Sequence, residues 1–247
     1  YGVSPFKPEI MICVPIEVTS IEKKAIFDVT MGAKKIYLLE EGRAAIMGSG
    51  VNISLPEGHT VIDIGGGSTD IAILSLNEIV ASTSIRVASN KFDEDIIKYV
   101  KRKFNLLIGD KTAENIKKEV GSAMEVPINE NISTKIKGKD LVTGIPKTID
   151  ITSNQINEAI KDSVNEIILA LKEVLEKCPP ELSSDILDNG IILTGGGSLI
   201  RNLDKLIENK VNIPIHRATN SLESVVIGGA LAFDNKALLR TLEMREM

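Results

Sequence analysis

Between Thr60 and Leu76 the chain reads TVIDIGGGSTDIAILSL, two apolar, β-branched runs joined through three consecutive glycines, with an acid near the end of the first run. Val61 to Ile64 has the character of a strand and Thr69 to Leu76 that of a second. Gly65, Gly66 and Gly67 between them permit dihedrals and close approaches that a Cβ forbids. The segment therefore specifies a hairpin whose turn lies at the end of a sheet. A triphosphate can rest on backbone N–H groups only where no side chain intervenes, and Asp63 is placed to hold the water shell of a Mg²⁺ ion bound to that triphosphate. In a P-loop the glycines would open a helix and end in Gly-Lys-Ser/Thr. Here Gly67 is followed by Ser68-Thr69-Asp70 and then by strand, which argues against that class.

A second triplet stands about 130 residues further on, at Gly195-Gly196-Gly197, after the apolar run Ile191 to Leu193. Leu199, Ile200, Leu203, Leu206 and Ile207 follow it at helical spacing, so the expected order is strand, glycine turn, helix. Bare backbone over Gly195, Gly196, Gly197, Ser198 and Leu199 gives a purine and ribose a flat surface, and a helix N-terminus adds free N–H groups and partial positive charge. Two glycine turns of different geometry, each after a strand, are what a nucleotide gripped from two sides requires.

The rest of the chain alternates helices with strands, as a layered α/β fold demands. Glu9 to Pro15 reads as a strand, and Thr19-Ser20-Ile21-Glu22 is a capping box opening a helix with Ile21, Ala25 and Val29 on one face, ended by Gly32. Ile36 to Leu39 is a short buried strand that delivers Glu40 and Glu41 to its end. Asn77-Glu78 turns the hairpin into a third strand, Ile79 to Val87. From Asn90 two helices turn Phe92, Ile96, Val100 and Phe104, then Ile116 and Val120, inward, and polar strands follow to Ile151, together an inserted subdomain. Ser153 is placed to cap a long helix to Cys178, with Ile156, Ile160, Val164, Ile167, Leu171 and Val174 as its apolar stripe. Ser221 to Phe233 is a small-residue helix whose glycines point to close packing. Leu238, Leu239, Leu242 and Met244, with Lys236, Arg240 and Arg245, form a short basic amphipathic tail that reads as a docked terminus.

Composition excludes several classes. A net charge of −5 over 247 residues leaves no footprint for nucleic acid. Two cysteines, Cys13 and Cys178, make no disulfide framework and read as buried free thiols, while His59 and His216 stand apart from any metal cluster. No apolar run reaches the ~18–20 residues of a membrane span, and no signal-peptide pattern opens the chain. A cytoplasmic α/β protein is expected.

DIGGGSTDIAILSL, IYLLEEGRAAIMGSG, TAENIKKEVGSA, EKCPPELSSDI and GIILTGGGSLIRNLDKLI resemble the MreB family of bacterial actin homologues, within the superfamily of actin, heat-shock chaperone ATPases and sugar kinases. The resemblance implies an actin-like ATPase fold with ribonuclease-H-like lobes and a smaller inserted α+β subdomain. It places the remainder of a first lobe at 1–60 and 224–247, a second lobe at 61–88 and 151–223, and the insertion at 89–150. In such proteins a stretch with an Asp-x-Gly-Thr phosphate loop precedes the point where this chain opens, at Tyr1 rather than methionine, so the first lobe is expected to be incomplete.

Site roles follow from the same resemblance. Folding the hairpin beside the strand that ends at Glu40 sets a carboxylate across the phosphates from a hydroxyl, where an attacking water would be held. In the family pattern Glu-Glu-Pro the second glutamate orients that water and the hydroxyl after the glycines assists, which maps onto Glu41 and Ser68. Gly42-Arg43 stands where the family has Pro-Met, so a cation is expected near the catalytic carboxylate and hydrolysis is expected to be slow or altered. Glu114 and Lys117 share a helix face and would pair with each other. The resemblance instead has Glu114-Asn115-Ile116-Lys117 close over ribose and base, with Asn115 where arginine is usual.

The implied protein binds ATP or ADP with Mg²⁺ and polymerises with itself into filaments. It lies peripherally at the inner face of the cell membrane with membrane-bound morphogenesis proteins, and it organises cell shape. The alternative of the same fold is a small-molecule kinase for a sugar or acetate-type acceptor, which would need an acidic general base and polar substrate loops that the chain does not display.

Overall fold

The computed structural model describes residues 7–30 and 32–242. Three sheets organise it. The first holds β1 (Glu9–Val14) and β2 (Lys35–Glu40), parallel and paired from Glu9 with Lys35 to Val14 with Glu40. The crossover between them is α1 (Ser20–Val29), and α2 (Glu41–Gly48) follows β2 without a loop.

The central sheet has five strands. β3 (His59–Ile64), β4 (Thr69–Ser75) and β5 (Glu78–Ile85) form antiparallel neighbours, and β9 (Ile191–Thr194) and β10 (Ile215–Arg217) extend the other side in parallel. β4 is buried along its whole length, which explains why its middle, Ile71 to Leu74, is a continuous apolar run rather than an alternation. The expected turn after it uses Leu76 and Asn77, both at positive φ.

Helices α3 (Ser89–Phe104) and α4 (Asp110–Val120) lead to a third, three-stranded sheet of β6 (Leu106–Leu107), β7 (Ser133–Asp140) and β8 (Pro146–Thr152). The long helix α5 (Ser153–Glu176) runs back beneath the central sheet, and α6 (Pro180–Asn189) leads into β9. One continuous core joins Ile62, Ile64, Ile71 and Ile73 of the hairpin to Phe92 and Ile96 of α3, Ile116 of α4, Ile151 of β8 and the α5 stripe. The six stripe residues predicted on α5 are all at most 1% exposed.

The cap of α5 falls one residue earlier than expected. Thr152, in extended backbone, accepts from the Gln155 amide, and the Gln155 side chain returns the bond, closing a capping box that Ser153 lacks a partner to make. The capping box of α1 at Thr19 and Glu22 is present as read. Its apolar face is not: Ile21 and Val29 are 80% and 86% exposed. Ile26 and Phe27 are the half-buried apolar residues of α1 instead. Both cysteines are free but only half-buried.

Helix α8 (Ser224–Asp234) crosses α2 at backbone contact. A Cβ on Gly48 would lie 1.8 Å from the Ser224 carbonyl oxygen, and one on Gly228 would lie 1.8 Å from that of Ala44. This is the close approach expected of the small-residue segment. The terminal helix α9 (Lys236–Leu242) is docked, with Leu238 and Leu242 buried against Tyr37, Leu39 and Ala44. Met244 and Arg245 of the predicted tail lie outside the described residues. No helix among the described residues is long and apolar enough to cross a membrane.

Candidate functional site

Where the ends of β3, β4 and β9 meet α2, α3 and α4, a cavity of about 1230 Å³ opens. It is large enough for a nucleotide, since drug-sized ligands occupy ~300–1,000 Å³. Residues of both glycine turns, Glu41, Asp63, Ser68, Glu114 and Lys117 line it, so residues spread over most of the chain converge there.

The two triplets are glycine for different reasons. In the first, the Gly65 N–H donates to the Ser68 carbonyl at 3.0 Å, closing the turn. The carbonyls of Gly65 and Gly66 are taken by the amides of Ser89 and Asn90 at the start of α3. A Cβ on Gly67 would meet nothing within 4 Å, and one on Gly66 would be no closer than 3.7 Å to the Asn90 side chain. At Gly66 and Gly67 nothing in the protein stands where a side chain would go, and the turn's backbone lies bare toward the cavity.

The second triplet answers to the fold. Gly195 has φ +83° and its Cβ would lie 2.2 Å from the Ile64 carbonyl oxygen; at Gly197 it would lie 2.3 Å from the Ile64 side chain. Ser198 is fully buried, its hydroxyl donating to the Gly195 carbonyl at 2.6 Å. Of the five residues predicted there, Gly195, Gly196 and Leu199 line the cavity, whereas Gly197 and Ser198 pack behind it. The expected direct entry into helix is corrected too. A 3-10 turn, Gly196–Leu199, comes first, Asn202 adopts a left-handed conformation, and α7 (Leu203–Val211) begins beyond it. Its N-terminus is therefore displaced from the turn.

Acids gather at the floor. Asp63, at the end of β3 and 4% exposed, accepts from the Thr194 hydroxyl at 2.8 Å. Burial, opposed by that bond and reinforced by the charge of Asp70, raises its pKa to about 6. Glu41 is the first residue of α2; burial and then the charges of Asp70 and Asp63 push it up to about 7. Both groups hold protons in the folded chain well above their ordinary values of 3.8 and 4.5. Between those ordinary values and about 6 and 7 the folded state binds more protons than the unfolded one, so stability falls as pH rises through that window. Without ligand, the melting temperature is expected to drop between pH 5 and 7.5, by roughly 2–4 °C per kcal/mol lost. Asp63→Asn should flatten the slope; a melting temperature that climbs with pH over this range would contradict these assignments.

The cation expected beside Glu41 turns away. Arg43 is buried, with Nε 3.3 Å from Glu40 Oε2 and a terminal nitrogen 3.8 Å from Glu78, outside the cavity lining. With α2 starting at Glu41, the third helical residue falls on a different face from the first.

On the α4 wall Glu114 and Lys117 each take a partner other than one another. Glu114 pairs with Lys118 at 2.5 Å. Lys117, nearly buried, donates to the Ser89 carbonyl (2.9 Å), the Ser89 hydroxyl (2.6 Å) and Asp93 Oδ2 (2.8 Å). All three ammonium protons are engaged, so Lys117 fixes α4 to the start of α3 and leaves no donor for a ligand. Asn115 points to solvent and Ile116 is 1% exposed in the core, so neither lines the cavity, as helical spacing places the residues between Glu114 and Lys117 on other faces. Asn90, Asp93, Arg201 and Leu222 line it without having been predicted. For Asn90 and Asp93 the available signal was their place near the start of the helix after the hairpin.

Among the described residues no group of three or more His, Cys, Asp or Glu is placed to enclose a metal ion. The floor nevertheless suits one held by phosphate oxygens and water, because Asp63 and Glu41 supply hard oxygen donors whose raised pKa values mark the lack of a compensating positive charge.

The sequence model of the family described as MreB/Mbl protein matches residues 3–241. The chain belongs to the MreB/Mbl family. It is 46% identical over 231 residues to the cell shape-determining protein Mbl of Bacillus subtilis (strain 168), which covers 93% of this chain and 69% of the relative. To the cell shape-determining protein MreB of Escherichia coli (strain K12) it is 42% identical over 229 residues, 92% of this chain and 65% of that one. Among solved structures, MreB5 of Spiroplasma citri bound to ADP superposes with a TM-score of 0.87 at 41% identity, over 92% of this chain and 69% of that one. The MamK double helical filament matches with a TM-score of 0.78 at 19% identity, over 95% of this chain and 71% of that one, a likeness of fold alone. This MreB/Mbl family member thus has the actin-like α/β fold that the resemblance implied.

Proposed function

We propose that this MreB/Mbl family member binds ATP and ADP in the cavity, polymerises head to tail into filaments, hydrolyses ATP slowly, and organises cell shape from the cytoplasmic face of the cell membrane. The observation that carries the nucleotide reading is the first glycine turn, whose Gly66 and Gly67 face open cavity space with no protein group that requires their lack of side chain. The S. citri relative superposes both in its ADP-bound form and in its AMPPNP-bound form, the latter over 94% of this chain. The shape-determining names of the Mbl and MreB relatives favour a cytoskeletal role over a small-molecule kinase.

In this reading the hairpin turn cradles phosphates on backbone N–H groups. Asp63 holds a Mg²⁺ ion through water, and that ion supplies positive charge against which phosphate oxygens are polarised. Glu41 orients the attacking water across from the Ser68 hydroxyl, while Gly195, Gly196 and Leu199 face the nucleoside and Glu114 reaches its ribose side. Three separate sheets support the division into a first lobe at 1–60 and 224–247, a second at 61–88 and 151–223, and an insertion at 89–150. A head-to-tail contact does not close on itself and so yields filaments.

Sedimentation and electron microscopy of the full-length protein test this reading, with ATP and Mg²⁺, with AMPPNP and Mg²⁺, and with no nucleotide. Filaments that appear only with nucleotide are the expected result. A soluble monomer under all three conditions would overturn it.

A further inference from the structure

The α4 wall and the second glycine turn come from segments some 80 residues apart, and Arg201 is where they are joined. Its Nε donates to the Gly121 carbonyl at 3.2 Å, at the C-terminal cap of α4, and a terminal nitrogen donates to the Ser153 hydroxyl at 2.7 Å, in the first turn of α5. Its own carbonyl accepts from the Ala123 amide at 2.8 Å, within an isolated parallel bridge between Arg201 and Ser122. Asn202 adds a bond from its side-chain amide to the Ser122 hydroxyl at 3.2 Å. On the α4 side the Gly121 N–H donates to the Lys117 carbonyl at 3.0 Å, so the residue that Arg201 holds is the last one tied to the helix.

Among the described residues no carboxylate lies within salt-bridge distance of the Arg201 guanidinium, although the residue lines the cavity. Its charge is spent on neutral oxygens of two helix ends. A guanidinium spans two such acceptors in fixed geometry, which a lysine ammonium cannot reproduce.

From this arrangement we propose that Arg201 is a positioning residue that fixes the distance between the α4 wall and the second glycine turn, and thereby governs how long a nucleotide is retained. The inference rests on the nucleotide reading of the cavity. Glu114 and Lys117 lie on one side of the joint, and Gly195, Gly196 and Leu199 on the other. Release of the fork frees the α4 end to move away from the turn, which opens the nucleoside side of the cavity and leaves the phosphate hairpin as it was.

The test is the dissociation rate of a fluorescent ADP analogue from the full-length parent, Arg201→Met and Arg201→Lys, with Leu171→Ala as a destabilised control remote from the cavity. Dissociation is expected to quicken by about tenfold in both Arg201 variants, the scale of one to two lost hydrogen bonds, while the control changes melting temperature alone. Unchanged dissociation in Arg201→Met overturns the proposal. So does full retention in Arg201→Lys, which would assign the effect to charge and also carries the test if the methionine variant does not fold. Failure of the parent to bind the analogue would instead overturn the nucleotide reading itself.

Discussion

Replacing Glu41 by glutamine is expected to slow phosphate release from bound ATP by ~10²-fold or more while leaving nucleotide affinity within a few fold, the range typical of a lost general base or water-orienting group. The side chain keeps its size and its place at the start of α2, so the variant removes the carboxylate and little else. Position argues for this role because Glu41 faces the cavity across from the hairpin turn and, among the described residues, forms no ion pair, Arg43 being engaged with Glu40 and Glu78. Single-turnover phosphate release and fluorescent-nucleotide affinity, measured on parent and variant, decide the matter. Parental phosphate release in the glutamine variant would move the water to another group and leave Glu41 a buried acid without a catalytic part.

Two adjacent glycines in α8 should respond in opposite directions to the same substitution. Gly228→Ala puts a methyl group 1.8 Å from the Ala44 carbonyl oxygen, which helix α2 can escape only by separating from α8. A loss of about 3 kcal/mol is expected, at the severe end for overpacking because the obstacle is backbone rather than a rotatable side chain. At Gly229 the nearest atom to a new methyl is Cys13 Sγ at 3.4 Å, an ordinary contact, and alanine is worth ~1 kcal/mol over glycine inside a helix. Gly229→Ala should therefore be neutral or mildly stabilising. Denaturant unfolding of both variants checks the pair, and equal losses at the two positions would contradict the described crossing of α2 and α8.

What could be read from the sequence was local. The hairpin was legible because Val61 to Leu76 sets two β-branched runs either side of three glycines, and α5 because its apolar stripe recurs along a helix of 24 residues. Which face of a short helix is covered depends on its neighbours, so Ile21 and Val29 of α1 were read as inward although the structure leaves them in solvent. The α4 wall shows the same limit at finer scale. Glu114 and Lys117 both line the cavity, but the partner of Lys117 is Asp93, 24 residues earlier, and no spacing rule reaches that far. The second triplet looked like the first because glycine carries no label for its purpose. Only the distance from Gly195 and Gly197 to Ile64 shows that they are small to admit a neighbouring strand.

Helix α2 has its first residue in the cavity and its last, Gly48, locked against α8. Eight helical residues span ~12 Å, short enough that the segment neither bends nor stretches appreciably. Five consecutive residues in its middle, Gly42 to Ile46, are buried, which leaves no freedom to rotate in place. At the far end the meeting surfaces are main chain against main chain, without a flexible side chain to take up slack. The helix is therefore held at both ends, and its far contact returns to the site: Gly48 meets Ser224, whose neighbour Val225 lines the same cavity as Glu41, so a shift of Glu41 would be felt at the α2–α8 crossing.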